Sequence, residues 1–134
     1  MRQRVIGLDP GTARTGYAIL EAEGGDMLTA VAFGVIETPP ADPLPRRLLF
    51  LYQRIRELLL LHRPQSGAVE KLFFQRNVST AIQVGQARGV ILLALAEAEI
   101  PVAEYTPNEI KQSVSGYGSA NKRQMQEMVR LLLG

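Results

Sequence analysis

The feature that most constrains the fold is a change of period at Leu44. Before it, three runs carry the Val, Ile and Phe enrichment of strands: Arg4 to Asp9, Gly16 to Glu21 and Leu28 to Thr38. Asp9-Pro10-Gly11 is a turn signal that predicts a hairpin from the first two, and Thr38-Pro39-Pro40 closes the third in a proline-marked loop. From Leu44 to His62 the apolar residues Leu48, Leu51, Tyr52, Ile55, Leu58 and Leu59 recur at helical spacing. Arg46, Arg47, Arg54 and Arg56 fill the gaps, and Arg63-Pro64 ends the helix. Gly67 to Glu70 then reads as a short buried strand. Reaching it through a helix makes a parallel crossover the natural topology, with Glu70 at the carboxyl end of the strand.

Asn77 to Glu99 is a second long helix. Its middle holds Gly85, Ala87 and Gly89, where helix propensity alone favours larger residues, so another backbone is expected to approach closely there. Val102 to Tyr105 is a last strand. Thr106-Pro107-Asn108-Glu109 follows with the N-cap, N1 proline and capping-box glutamate of a helix start. Gly116-Tyr117-Gly118 breaks that helix, and Ser119 caps a final one. The order β-β-β-α-β-α-β-α-α predicts an α/β fold: a five-stranded mixed sheet, three antiparallel strands followed by parallel additions, flanked by helices. At 134 residues, without internal repeats, residues 1–134 are expected to form a single domain.

Composition narrows the chemistry. There is no cysteine, which excludes disulfides and thiolate metal sites, so a metal would need oxygen ligands or the lone His62. His62 sits at a helix end, where the dipole explains it better than ligation. The longest fully apolar run, Val90 to Ala96, is far below the roughly 18 residues of a membrane span, and the N-terminus lacks a signal-like stretch; a cytoplasmic protein is expected. The net charge of +2 permits nucleic-acid binding without selecting it. Between Lys71 and Ala96 the charged residues are Lys71, Arg76 and Arg88, which predicts a locally basic face.

Asp9 and Glu70 stand out as carboxylates at the ends of two strands that this topology lays side by side. Neighbouring carboxylates must be protonated, separated or bridged by a cation, and a hard divalent ion with oxygen ligands is the simplest bridge. Asp9 alone is explained equally well as a turn former. Glu70 is harder to dismiss, because the end of a buried Gly-Ala-Val strand is a costly place for an unpaired charge.

Ile6-Gly7-Leu8-Asp9-Pro10-Gly11-Thr12, followed by Thr15-Gly16-Tyr17, resembles the opening hairpin of the RuvC family of Holliday junction resolvases. Four further segments resemble that family in order: Val69-Glu70-Lys71-Leu72-Phe73-Phe74, Gly85-Gln86-Ala87-Arg88-Gly89, Glu104-Tyr105, and Lys111-Gln112-Ser113-Val114-Ser115-Gly116-Tyr117-Gly118-Ser119-Ala120-Asn121-Lys122. The resemblance implies a ribonuclease H-like fold and a Mg²⁺-dependent endonuclease that nicks four-way DNA junctions symmetrically in recombination and repair. It also implies Mn²⁺ as a substitute for Mg²⁺ and two ions per subunit in the complete protein. Asp9 and Glu70 would bind metal, with two further carboxylates on a C-terminal helix that residues 1–134 lack, so this chain is expected to bind junctions but cleave them poorly. Lys111 and Lys122 would serve catalysis and the scissile phosphate, Phe73 would stack on an unpaired base, and Arg14 and Arg76 would contact DNA. A homodimer through the Asn77–Glu99 helix and a branch-migration helicase partner are implied as well. The competing readings are a phosphate-handling ATPase or kinase fragment, which needs a second lobe, and a non-catalytic junction-binding module, for which Asp9 and Glu70 are superfluous.

Overall fold

The computed structural model describes residues 2–11, 13–23, 27–70 and 78–105. Strands β1 (Arg2–Asp9), β2 (Arg14–Glu23) and β3 (Met27–Glu37) form an antiparallel meander. Helix α1 (Leu44–His62) leads to β4 (Ser66–Glu70), and α2 (Val78–Glu97) leads to β5 (Val102–Tyr105). The sheet order is β3-β2-β1-β4-β5, with β4 parallel to both β1 and β5. This is the mixed sheet expected from the sequence. The helices predicted after Tyr105 lie outside the described residues.

Each helix packs on the sheet because its apolar stripe matches one face of the strands. Leu51, Ile55, Leu58 and Leu59 of α1 and Ala87, Ile91, Ala94 and Leu95 of α2 form one core with Ile6 and Leu8 of β1, Ile19 of β2, Ile36 of β3 and Val69 of β4. Gly67 belongs to this face: a Cβ there would lie 3.5 Å from the Ile6 side chain and 3.6 Å from that of Leu95. Since side chains alternate along a strand, the residues following Leu8 and Val69 emerge on the other face. Those residues are Asp9 and Glu70.

Strand ends run beyond their apolar residues. Pairing of Arg2 with Glu23 extends the first hairpin past the expected Arg4 and Glu21. The ladder needs only backbone donors and acceptors, so polar ends such as Arg2 and Gln3 join it without an apolar pattern. A β-bulge between Ile19 and Leu20, opposite Ala32 and Ala30, leaves Val31 as the extra residue of β3.

Both helices stop at residues in the left-handed region. Arg63 (φ 48°) sends its N–H to the Leu59 carbonyl, and the Arg4 guanidinium reaches the His62 carbonyl at 3.1 Å. Glu99 (φ 58°) reverses the chain so that the Ile100 N–H meets the Leu95 carbonyl at 3.0 Å, which ends α2 at Glu97, before the expected Glu99. Among the described residues, no helix is long and apolar enough to cross a membrane.

Candidate active site

The site starts from register. Leu8 of β1 lies beside Val69 of β4, so one residue further the ends of two adjacent parallel strands bring Asp9 and Glu70 together. There the two carboxyl groups lie close enough for each to shift the other's ionisation. Burial pushes Glu70 up, the hydrogen bond from its own carboxyl to Asp9 and the charge of Asp9 push it further, and it titrates at about 8. Asp9 is also raised above the ordinary aspartate range, chiefly by burial, with the hydrogen bond to Glu70 opposing the rise. Near neutral pH Glu70 therefore keeps its proton beside Asp9. Two half-buried carboxyl groups that must retain a proton to coexist are poised to exchange it for a cation.

The turn carrying Asp9 is fixed from several directions. The buried Thr15 hydroxyl donates to the Gly11 carbonyl at 2.7 Å and accepts the Gly11 N–H at 3.3 Å. Glycine is required at residue 11, because a Cβ there would collide with the Arg14 carbonyl oxygen. Beyond the turn, the Thr38 N–H donates to the Ala13 carbonyl at 3.1 Å, and the Thr38 hydroxyl oxygen accepts from Nε of Arg47 on α1 at 2.8 Å.

Of the other residues singled out in the sequence, Arg14 opens β2 on the surface with its Nε 3.7 Å from Glu37. Phe73, Arg76, Lys111 and Lys122 lie outside the described residues. The expectation of unbalanced basic charge between Lys71 and Ala96 needs correction at Arg88: its guanidinium, largely buried, is paired with Glu104 of β5. A partner sixteen residues away on another element is invisible to a count of charges along α2. His62 is the last residue of α1, and its backbone carbonyl accepts from the Arg4 guanidinium. Among the described residues no group of three or more His, Asp or Glu side chains is assembled, so the carboxylate pair stands by itself.

Among the described residues, one face of α2 is left uncovered. Ile82 and Leu93 are 57% and 62% exposed, Gln86 is exposed between them, and a Cβ at Gly89 would meet nothing within 4 Å. These residues share one side of the helix by their spacing. Of the small residues expected to admit another backbone, Ala87 is buried in the core with the sheet, whereas Gly89 is exposed on the outer side of α2.

Comparison with known proteins decides the family. The sequence profile described as crossover junction endodeoxyribonuclease RuvC matches residues 5–134. The chain belongs to the RuvC family. A RuvC of Chloroflexus aggregans is 56% identical over 131 residues, covering 98% of this chain and 79% of the relative, and a RuvC of Thermomicrobium roseum is 54% identical over 130 residues, covering 97% and 78%. The structure of Thermus thermophilus RuvC in complex with a Holliday junction substrate superposes with a TM-score of 0.81 at 35% identity, covering 96% of this chain and 78% of that one. The yeast mitochondrial Holliday junction resolvase shares the fold at a TM-score of 0.66 and 11% identity, covering 84% and 54%. Asp9, Glu70 and Thr15 stand in segments that resemble the family, but nothing in the sequence marks the hydroxyls of Thr15 and Thr38 as buried. Threonine is common in strands and at their ends, and only the three-dimensional path reveals which hydroxyls are buried.

Proposed function

We infer that this chain is a junction-selective endodeoxyribonuclease that resolves four-way DNA by hydrolysing phosphodiesters at the Asp9–Glu70 centre. The observation that carries the reading is the pair of carboxyls, Asp9 and Glu70, brought together at the ends of two adjacent parallel strands. It is supported by family membership and by a relative whose structure was determined with a Holliday junction. The donor set suits a hard divalent ion: carboxylate oxygens only, half-buried, with no cysteine in the chain. Mg²⁺ is the proposed ion, Mn²⁺ the proposed substitute, and two ions per subunit the proposed complement at the full length of the relatives.

Asp9 and Glu70 would hold the ion, and losing the Glu70 proton turns both into anionic oxygen donors. When bound, the cation supplies positive charge for in-line attack of water on the phosphodiester and for the departing oxygen. The partly buried setting of the pair strengthens these interactions relative to open water. Lys111 and Lys122 are proposed to hold the scissile phosphate, Arg14 and Arg76 to grip neighbouring phosphates, and Phe73 to stack on a base freed at the branch point, a contact worth roughly 1–3 kcal/mol. The chain is proposed to act in the cytoplasm, through one ribonuclease H-like domain, as a homodimer.

The dimer reading rests on the exposed, uncharged face of α2 that carries Ile82, Gln86, Gly89 and Leu93. Pairing two such faces about a two-fold axis gives two separated sites, which match a substrate that is itself two-fold symmetric and needs two cuts. The decisive test of the activity is cleavage of a synthetic four-way junction against a linear duplex of the same sequence, with Mg²⁺ or with chelator, using this chain and one extended to the length of its relatives. Selective nicking of the junction that requires the metal is expected of the extended chain; equal cutting of linear duplex would overturn the reading.

A further inference from the structure

Two buried polar side chains occur among the described residues, Thr15 at 0% and Thr38 at 4% exposure, and both serve the same turn. Thr15 closes a two-way contact with Gly11, donating at 2.7 Å and accepting at 3.3 Å. Thr38 holds Ala13 through its N–H, and its hydroxyl is in turn engaged by Arg47 of α1. A hydroxyl placed in the interior carries a desolvation penalty that its hydrogen bonds must offset, so neither threonine adds stability as readily as an apolar residue of the same shape. A connection that only reversed the chain could satisfy Gly11 and Ala13 with water. Here the Thr15 hydroxyl and the Thr38 backbone N–H fix the chain just after Asp9, whose carboxyl must stay in register with Glu70 on another strand, and the Thr38 hydroxyl ties that segment to α1 through Arg47.

We propose that Thr15 and Thr38 are positioning residues for the carboxylate pair: through Gly11 and Ala13 they hold Asp9 at the separation from Glu70 that a divalent cation requires. The inference rests on the metal-site reading above. Small displacements matter at such a site, because Mg²⁺ demands near-ideal octahedral geometry, and supporting hydrogen bonds around ligands typically contribute 10–100-fold in affinity. Thr15 acts on the near side of the turn and Thr38 on the far side, tying it to α1 through Arg47.

The test is a calorimetric Mn²⁺ titration of the whole chain at pH 9, with the thermal midpoint measured in parallel, for wild type, Asp9→Asn, Thr15→Val, Thr15→Ser, Thr38→Val and Ile55→Val. Thr15→Val keeps the shape and removes the hydroxyl, and Thr15→Ser restores it. Ile55→Val perturbs the core on α1 and reports what plain destabilisation does to metal binding. Expected are at least tenfold weaker Mn²⁺ binding in Thr15→Val, recovery to within about threefold in Thr15→Ser, and unchanged affinity in Ile55→Val despite its lower midpoint. Thr38→Val gives the same reading should Thr15→Val fail to fold. Wild-type Mn²⁺ affinity in the folded threonine-to-valine variants overturns the positioning role while leaving the metal site standing. If Asp9→Asn binds Mn²⁺ as tightly as wild type, the metal-site reading itself fails, and this inference with it.

Discussion

Metal binding by this chain should be steeply pH-dependent, and the sign follows from the proton on Glu70. Its carboxyl is pushed up to about 8 by burial and by Asp9. Below that pH a proton occupies the pair, and a cation must displace it. At pH 6 only about one molecule in a hundred has Glu70 ionised, near pH 8 about half, and at pH 9 about nine in ten. Apparent Mn²⁺ affinity should therefore rise roughly tenfold per unit from pH 6 to pH 7.5, flatten above pH 8, and gain about a hundredfold overall. The assay is a Mn²⁺ titration followed by electron paramagnetic resonance of free ion at five pH values, with one proton released per ion bound near pH 7. Carbon-13 spectra of labelled glutamate would locate the Glu70 titration independently. Affinity that is flat from pH 6 to pH 9, or a Glu70 carboxyl titrating below pH 5, would refute the retained-proton argument.

The same proton affects folding without metal. Glu70 is raised above its unfolded value of 4.5 to about 8, so the folded form binds more protons between these limits and metal-free stability falls as pH rises through that window. Glu70→Gln should leave the denaturation midpoint unchanged near pH 4 and raise stability at pH 8 by about 1–2 kcal/mol, a figure discounted for partial solvent screening; pH-resolved urea melts check it. Gly89→Glu has open space for its side chain, so the fold should survive, while a charge in the Ile82–Leu93 face should weaken the proposed dimer by about 3 kcal/mol, visible by sedimentation as monomer at micromolar concentration. Glu99→Gly relieves a left-handed residue at the end of α2 and should add about 1 kcal/mol in thermal or urea unfolding, with metal affinity unchanged.

What could be read from the sequence was whatever leaves a local trace. The bounds of α1 were legible because its apolar period, its arginines and Arg63-Pro64 all act within a few residues of one another. The strand ends at Asp9 and Glu70 were legible for the same reason, and topology placed those strands side by side. Their contact was not: it depends on the register of Leu8 with Val69, fixed by packing against Leu95 and other helix residues distant in sequence. Thr15 and Thr38 look like ordinary strand threonines until the turn folds back over them. Arg88 read as a free cation because Glu104 joins it only after β5 enters the sheet. The bulge at Val31 left no trace, since Leu28 to Thr38 alternates no less well on either side of it.

The central claim is that the Asp9–Glu70 pair makes this chain a metal-dependent nuclease for branched DNA. Its most direct test is single-turnover cleavage of a four-way junction with Mg²⁺ at pH 8.5 by wild type and Glu70→Gln, both extended to the length of the family's members, with junction affinity measured on the same preparations. Loss of a ligand should remove about 4 kcal/mol or more of transition-state stabilisation, on the order of a thousandfold in rate, while phosphate contacts keep junction binding within about threefold. Cleavage by Glu70→Gln at the wild-type rate would contradict the claim.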